Sequence, residues 1–121
     1  MPSSPRRSDC PVACTLDLLG DKWTLLVVRD LVLGKRRFDE FLNSPEGIAS
    51  NILASRLKML TERGYLTREQ DPNDRRQALY ALTEQGESLR KLVSLVAQWG
   101  EDHFPDTTRD PAQVIVRKRK K

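Results

Sequence analysis

Between Pro11 and Gly20, the apolar residues Val12, Leu16 and Leu19 recur at i, i+4 and i+7, the spacing of one helix face. Pro suits the first helical position and Gly the stop. Asp21 can cap a second helix, Lys22 to about Leu33, with Trp23, Leu26, Val27 and Leu31 inward and Gly34 after its end. A short helix is expected around Phe38 to Leu42, followed by a turn at Ser44-Pro45-Glu46-Gly47. The next helix, about Ala49 to Arg63, keeps Leu53, Leu57 and Leu60 within roughly 60° on a wheel of ~100° per residue. Asn51, Ala54, Ser55, Lys58 and Glu62 lie opposite them, and Gly64 stands at the C′ position.

Tyr65 to Glu69 and Ala78 to Leu82 then read as two strands, joined by Asp71-Pro72-Asn73-Asp74-Arg75-Arg76. Ala78, Tyr80 and Leu82 alternate inward. Thr83 caps a last long helix, Glu84 to about His103, which Pro105 stops. Leu89, Leu92, Val93, Leu95, Val96 and Trp99 cover a sector of roughly 160° on that helix, wider than the ~100° minimum for packing on one small domain. The surplus predicts a second contact, most simply the same helix of another copy. Val12, Leu16, Leu92, Leu95, Val96 and Trp99 are the expected dimerisation residues. Four helices, a strand, a turn, a strand and a helix make a mainly α winged helix-turn-helix with a small two-stranded β-wing, dimerised through its first and last helices.

At 121 residues the chain suits one domain. Residues 1–9 read as a flexible arm, 10–104 as the winged-helix domain, and 105–121 as an extension with a basic tail. The formal charge of +4 comes from that tail, because without Arg117 to Lys121 the balance is −1. A basic run of this kind is ordinarily a solvated terminus with weak affinity for polyanions. No apolar run approaches the ~20 residues of a bilayer span, so no membrane partner is expected. No secretory leader is visible, and two Cys cannot staple a domain of this size, which points to the reducing cytoplasm.

In a winged helix-turn-helix the outer face of one helix meets base edges in the major groove of double-stranded DNA. Here that face is Ser50, Asn51, Ala54, Ser55 and Lys58. Asn can pair bidentately with adenine, Ser is a short adaptable donor or acceptor, and Ala can touch a thymine methyl. An ordinary solvated face would carry more Glu and Lys. Cations at the margins are the expected phosphate contacts: Lys35, Arg36 and Arg37 before the short helix, Arg68 on the first strand, and Arg75 and Arg76 on the wing. Arg75 is the stronger of the wing pair, since either arginine can instead pair with Asp71 or Asp74. Arg56, toward the core-facing edge of its helix, is a phosphate clamp or a structural ion pair.

These residues resemble the HxlR-type winged-helix transcriptional regulators, relatives of the MarR group. Cys10-Pro11 followed by Leu16 to Trp23 is similar to the family's opening, and Gly34 to Phe41 (Gly-Lys-Arg-Arg-Phe-Asp-Glu-Phe) to its Gly-x-x-Arg-Phe-x-Glu-Leu stretch. Gly47 to Leu57 resembles its recognition helix, and Leu82-Thr83-Glu84-Gln85-Gly86 its strand exit. The likeness covers about Cys10 to Phe104. It implies a homodimer built from the first and last helices, bound to an inverted-repeat operator and acting as repressor or activator. The wing departs from this pattern and looks more like a MarR wing. Cys10 sits at the start of the first helix, where the helix terminus and nearby Arg6 and Arg7 would favour the thiolate. Some members use a Cys at this position to sense oxidants or electrophiles. Redox sensing by Cys10 is accordingly one expectation, and an inert small residue the other; a small-molecule effector stays open.

Two Cys and the lone His103 fall short of a closed zinc site, so no metal or cofactor is expected. No nucleophile with an attendant base is visible either, so no enzyme is expected. The rival from another class is a winged-helix protein-interaction module, for which Ala54 and Ile52 are thin support.

Overall fold

Five helices and one antiparallel ribbon follow in the expected order across residues 6–107, the part of the chain that the computed structural model describes. The start of the arm and the basic run Arg117 to Lys121 lie outside the described residues.

Pro11 opens α1 (Pro11–Leu19) behind an extended Cys10, φ −70° and ψ 127°. α2 (Thr24–Val32) starts two residues later than its apolar pattern suggests. The reason is Asp21, whose Oδ2 accepts the N–H groups of Trp23 (3.0 Å) and Thr24 (3.1 Å) and whose Oδ1 accepts the Thr24 hydroxyl. Donors that a helix leaves unpaired are satisfied there, so the helix begins there. α3 (Phe38–Leu42) is held the same way by Glu40, whose Oε1 accepts the N–H groups of Arg36 (2.8 Å) and Arg37 (2.9 Å). Those two bonds hold the Glu40 carboxyl below its usual range.

α4 (Ser50–Glu62) ends in Gly64 at φ +88°, a left-handed conformation that only Gly adopts without strain. The chain then enters β1 (Leu66–Asp71), which pairs with β2 (Asp74–Leu82) from Leu66↔Leu82 through Arg68↔Tyr80 to Asp71↔Asp74. The ribbon is longer and its turn tighter than expected: only Pro72 and Asn73 separate the strands. Asp71 makes this turn, its Oδ1 accepting the Asn73 N–H at 2.8 Å. Thr83 caps α5 (Glu84–His103) by accepting the Gly86 N–H at 2.9 Å, and its own hydroxyl donates to the Gly64 carbonyl at 2.6 Å. A Cβ on Gly86 would stand 2.1 Å from the Tyr65 carbonyl, so that crossing demands glycine.

The core collects Leu19, Val27, Val28, Leu31, Phe41, Ile48, Leu53, Leu57, Leu60, Leu66, Tyr80 and Leu89. Trp23, Ala78 and Leu82, all expected inside, are half-buried at its margin, Leu26 is half-buried as well, and Val28 is wholly enclosed. Burying side chains such as Leu53, Leu57 and Leu60 contributes ~1.5–3 kcal/mol each. Beside this core, Asp30 is 4% exposed and fully engaged. Arg29 reaches its Oδ1 through Nε (3.0 Å) and Nη2 (2.9 Å), and the Ser44 hydroxyl donates to its Oδ2. Arg29 also grips Glu46 with two bonds of 2.7 and 2.8 Å. Burial opposes the charge on Arg29, but Glu46 and Asp30 more than offset it. This network rivets the end of α2 to the turn that leads into α4.

α5 packs on α2. Leu89 is buried and Leu92 and Val93 join the core, whereas Leu95 (57%), Val96 (48%) and Trp99 (58%) stay exposed. On α1, Val12 and Leu16 are exposed as well. No helix among the described residues is long and apolar enough to cross a membrane.

Candidate nucleic-acid interface

α3 and α4 form a helix-turn-helix pair, with the ribbon beside α4 as its wing. α4 is anchored from behind by Leu53, Leu57 and Leu60, none more than 1% exposed. That leaves Ser50, Asn51, Ala54, Ser55 and Lys58 on the open side, all exposed. The N-cap Ala49 is extended and makes no side-chain bond to the first turn, whose leading N–H groups have no partner within the helix. Lys58 and Ala54 border a cleft of about 260 Å³ that Arg68 and Tyr80 close from the wing side. One contiguous surface therefore runs from the α4 face to the wing.

The cations fall into two groups. Three of those expected at phosphates, Lys35, Arg37 and Arg56, hold partners within the chain. Lys35 donates to the Ser44 hydroxyl at 2.8 Å and lies 3.9 Å from Asp30, because the buried Asp30 carboxylate needs countercharge. Arg37 places Nη2 2.6 Å from Asp71 Oδ2, and Asp71 is 1% exposed. Arg56 donates to Asp21 at 2.9 Å, so of its two roles the structural ion pair is the one adopted. That bond joins α4 to the start of α2. Burial pushes the Asp21 carboxyl up, but the Thr24 hydroxyl, Arg56 and the Trp23 N–H hold it at about 2.

The others remain on the surface. Arg36 makes one long bond, 3.4 Å, to the Tyr80 carbonyl, and Arg68 donates to the Tyr80 hydroxyl at 3.2 Å. Arg76 pairs with Asp74 at 3.2 Å and keeps that carboxyl below its usual range, while its own side chain is 89% exposed. Such an exposed pair is easily exchanged for another anion. The Arg75 side chain has no ion pair among the described residues.

Cys10 is exposed at the head of α1. Arg7, expected to bear on its thiol, instead gives Nε to Asp17 at 2.6 Å. Cys14 is half-buried, its thiol 3.5 Å from the Ser8 carbonyl. Asp71 was expected to pair with a wing arginine rather than with Arg37, and the contributions of Asp30 and Ser44 had no counterpart in the pattern of the sequence. The Asp-Pro-Asn turn signals the Asp71 bond two residues ahead; nothing local marks Asp30 or Ser44.

Residues 18–108 match the family described as HxlR-like helix-turn-helix. An uncharacterized HTH-type transcriptional regulator of Mycobacterium tuberculosis is 35% identical over 103 residues, which is 85% of this chain and 65% of that protein. The chain thus spans about two thirds of that relative's length. Among solved structures, the redox regulator HypR in its reduced form superposes with a TM-score of 0.66 at 34% identity, over 77% of this chain and 92% of HypR. The reduced form of the transcriptional regulator YodB from B. subtilis superposes with a TM-score of 0.64 at 27% identity, over 84% and 100% of the two chains. With its winged helix-turn-helix and this match over most of its length, the chain belongs to the HxlR-like helix-turn-helix family of transcriptional regulators.

Proposed function

We propose that this chain is a sequence-specific DNA-binding transcriptional regulator that acts as a homodimer on an inverted-repeat operator. The observation that carries the reading is the α4 face: small polar side chains, all exposed, on a helix whose back is locked by wholly buried leucines. Rigid backing and short side chains let a helix approach base edges closely. Asn51 and Ser50 read bases at the leading end, with Ala54, Ser55 and Lys58 behind them. Arg36, Arg68, Arg75 and Arg76 meet phosphates. As an outer face for a protein partner α4 is poor, because Ile52 is half-buried and only Ala54 is apolar and open.

The second copy binds across α1 and α5. Val12, Leu16, Leu95, Val96 and Trp99 remain open after folding, and a groove of about 600 Å³ between α2 and α5 continues from Val96. Large apolar side chains left open in this way on two helices are what a second copy would cover. A two-fold dimer would present its reading helices to major grooves ~34–36 Å apart or a multiple of that. Cys10 lies at the head of α1, next to the face assigned to the second copy. An oxidant or electrophile that modified it would alter that contact and hence the spacing of the reading heads. The likeness to the redox regulator HypR supports this part of the reading.

Mobility shift of the chain ending at Asp110, which lacks the basic run, tests the reading. Retarded duplex at low salt is the expected result. A truncated chain that ignores every duplex refutes the proposal.

A further inference from the structure

Asp71 closes β1 at the far end of the wing, yet it is 1% exposed. Its Oδ1 is occupied by the Asn73 N–H. Its Oδ2 has no aligned hydrogen bond and faces Nη2 of Arg37 at 2.6 Å. A buried carboxylate persists only when countercharge stands beside it, and here Arg37 is that countercharge.

Arg37 is meanwhile fixed to the helix pair. It is the N-cap of α3, its N–H is held by Glu40, and its backbone bridges Leu79 in antiparallel fashion. Next to it the Arg36 carbonyl accepts the Tyr80 N–H at 2.9 Å. One residue therefore belongs to the helix-turn-helix through its backbone and to the wing tip through its side chain. The ribbon needs such a brace. Two strands alone are marginally stable, and Asp71 lies roughly 17 Å of ribbon beyond the Leu66↔Leu82 rung. The register also shifts at Gln70/Asp71, where the brace attaches.

We propose that the Arg37–Asp71 pair sets the angle of the wing against α4, so that both are positioning residues for Arg75 and neither touches DNA. The inference rests on the DNA-binding reading only for what the wing is positioned against. It carries an unusual sign. Asp71→Asn removes a negative charge, which bare electrostatics expects to tighten binding to a polyanion. Positioning by the pair expects the opposite.

The experiment has two arms on the full chain. In the first, Cys10 and Cys14 are replaced by Ser, spin labels are placed at Asn73→Cys and Glu62→Cys, and labelled protein is diluted into excess unlabelled chain. The parent is expected to give a narrow distance distribution that broadens with Asp71→Asn or Arg37→Gln, no further in the double variant, and stays narrow with Arg37→Lys. Unchanged distributions in both single variants overturn the proposal, as does Arg37→Lys broadening to the Gln level. Circular dichroism confirms that each variant retains its helices; if Asp71→Asn does not, Arg37→Lys against Arg37→Gln decides. In the second arm, unlabelled Asp71→Asn is expected to bind a selected duplex about ten-fold more weakly, with a salt slope shallower by about 2 per dimer from the loss of two Arg75 contacts. Adding Arg37→Gln is expected to cost nothing more. A further fall in affinity and slope would place Arg37 on phosphate and overturn the proposal. If the parent discriminates among no duplexes while the distances broaden as stated, the DNA reading fails and the brace stands.

Discussion

Asp21→Asn separates charge from hydrogen bonding at the joint between α2 and α4. The carboxyl falls from 3.8 to about 2 because burial, which raises it, is outweighed by the Thr24 hydroxyl, the Arg56 guanidinium and the Trp23 N–H. At ~1.4 kcal/mol per pH unit the difference corresponds to about 2.4 kcal/mol. The side chain is 32% exposed, however, so solvent screening reduces this to about 1–1.5 kcal/mol. The folded state prefers the ionised form, so the contribution is complete above pH ~4 and disappears as pH falls through about 2. Urea unfolding of both proteins at pH 7, 5, 3 and 2 measures it. Asparagine keeps the volume and an oxygen for the Trp23 N–H, so the variant should be less stable by about 1–1.5 kcal/mol at pH 7 and 5. The gap should narrow at pH 3 and close near pH 2. A gap of equal size at every pH would show that the Arg56 ion pair is not its source.

Asn51→Ala should cost about 1–3 kcal/mol on the selected site and leave non-specific binding intact, by fluorescence anisotropy; equal loss on all sequences would remove Asn51 from base reading. Arg75→Gln should weaken binding evenly across sequences and flatten the salt slope by about 2 per dimer. Trp99→Arg should yield monomer by sedimentation velocity while leaving the circular dichroism spectrum unchanged, because Trp99 is 58% exposed in the single chain. Leu57→Ala should destabilise by about 2–5 kcal/mol in urea titration, since no part of its side chain can relax into solvent.

Helix positions were the most legible part of the sequence. The Leu53–Leu57–Leu60 stripe and Gly64 locate α4 from local rules alone, and Thr83 does the same for the start of α5. Those signals are local because capping and periodicity act within one turn. The wing was less legible. Its strands run through Arg68-Glu69-Gln70 and Arg75-Arg76-Gln77, where neither face is buried, so no alternation marks them. Cations were legible as a group but not in their partners. Lys35 and Arg37 look like Arg36 and Arg75 in sequence; the position of Arg56 on its helix left a structural pair open, but only tertiary packing brings Asp30, Asp71 and Asp21 to the three. The breadth of the apolar sector on α5 was readable as an excess over what one core needs, and Leu95, Val96 and Trp99 are the excess.

Selection of bound sequences from random duplex DNA by the full chain tests sequence-specific, symmetric DNA reading most directly. Two reading helices in a two-fold dimer should enrich one inverted repeat whose half-site centres lie ~34–36 Å apart, or a multiple of that. Recovery of no preferred sequence, or of a single half-site without symmetry, would contradict that reading.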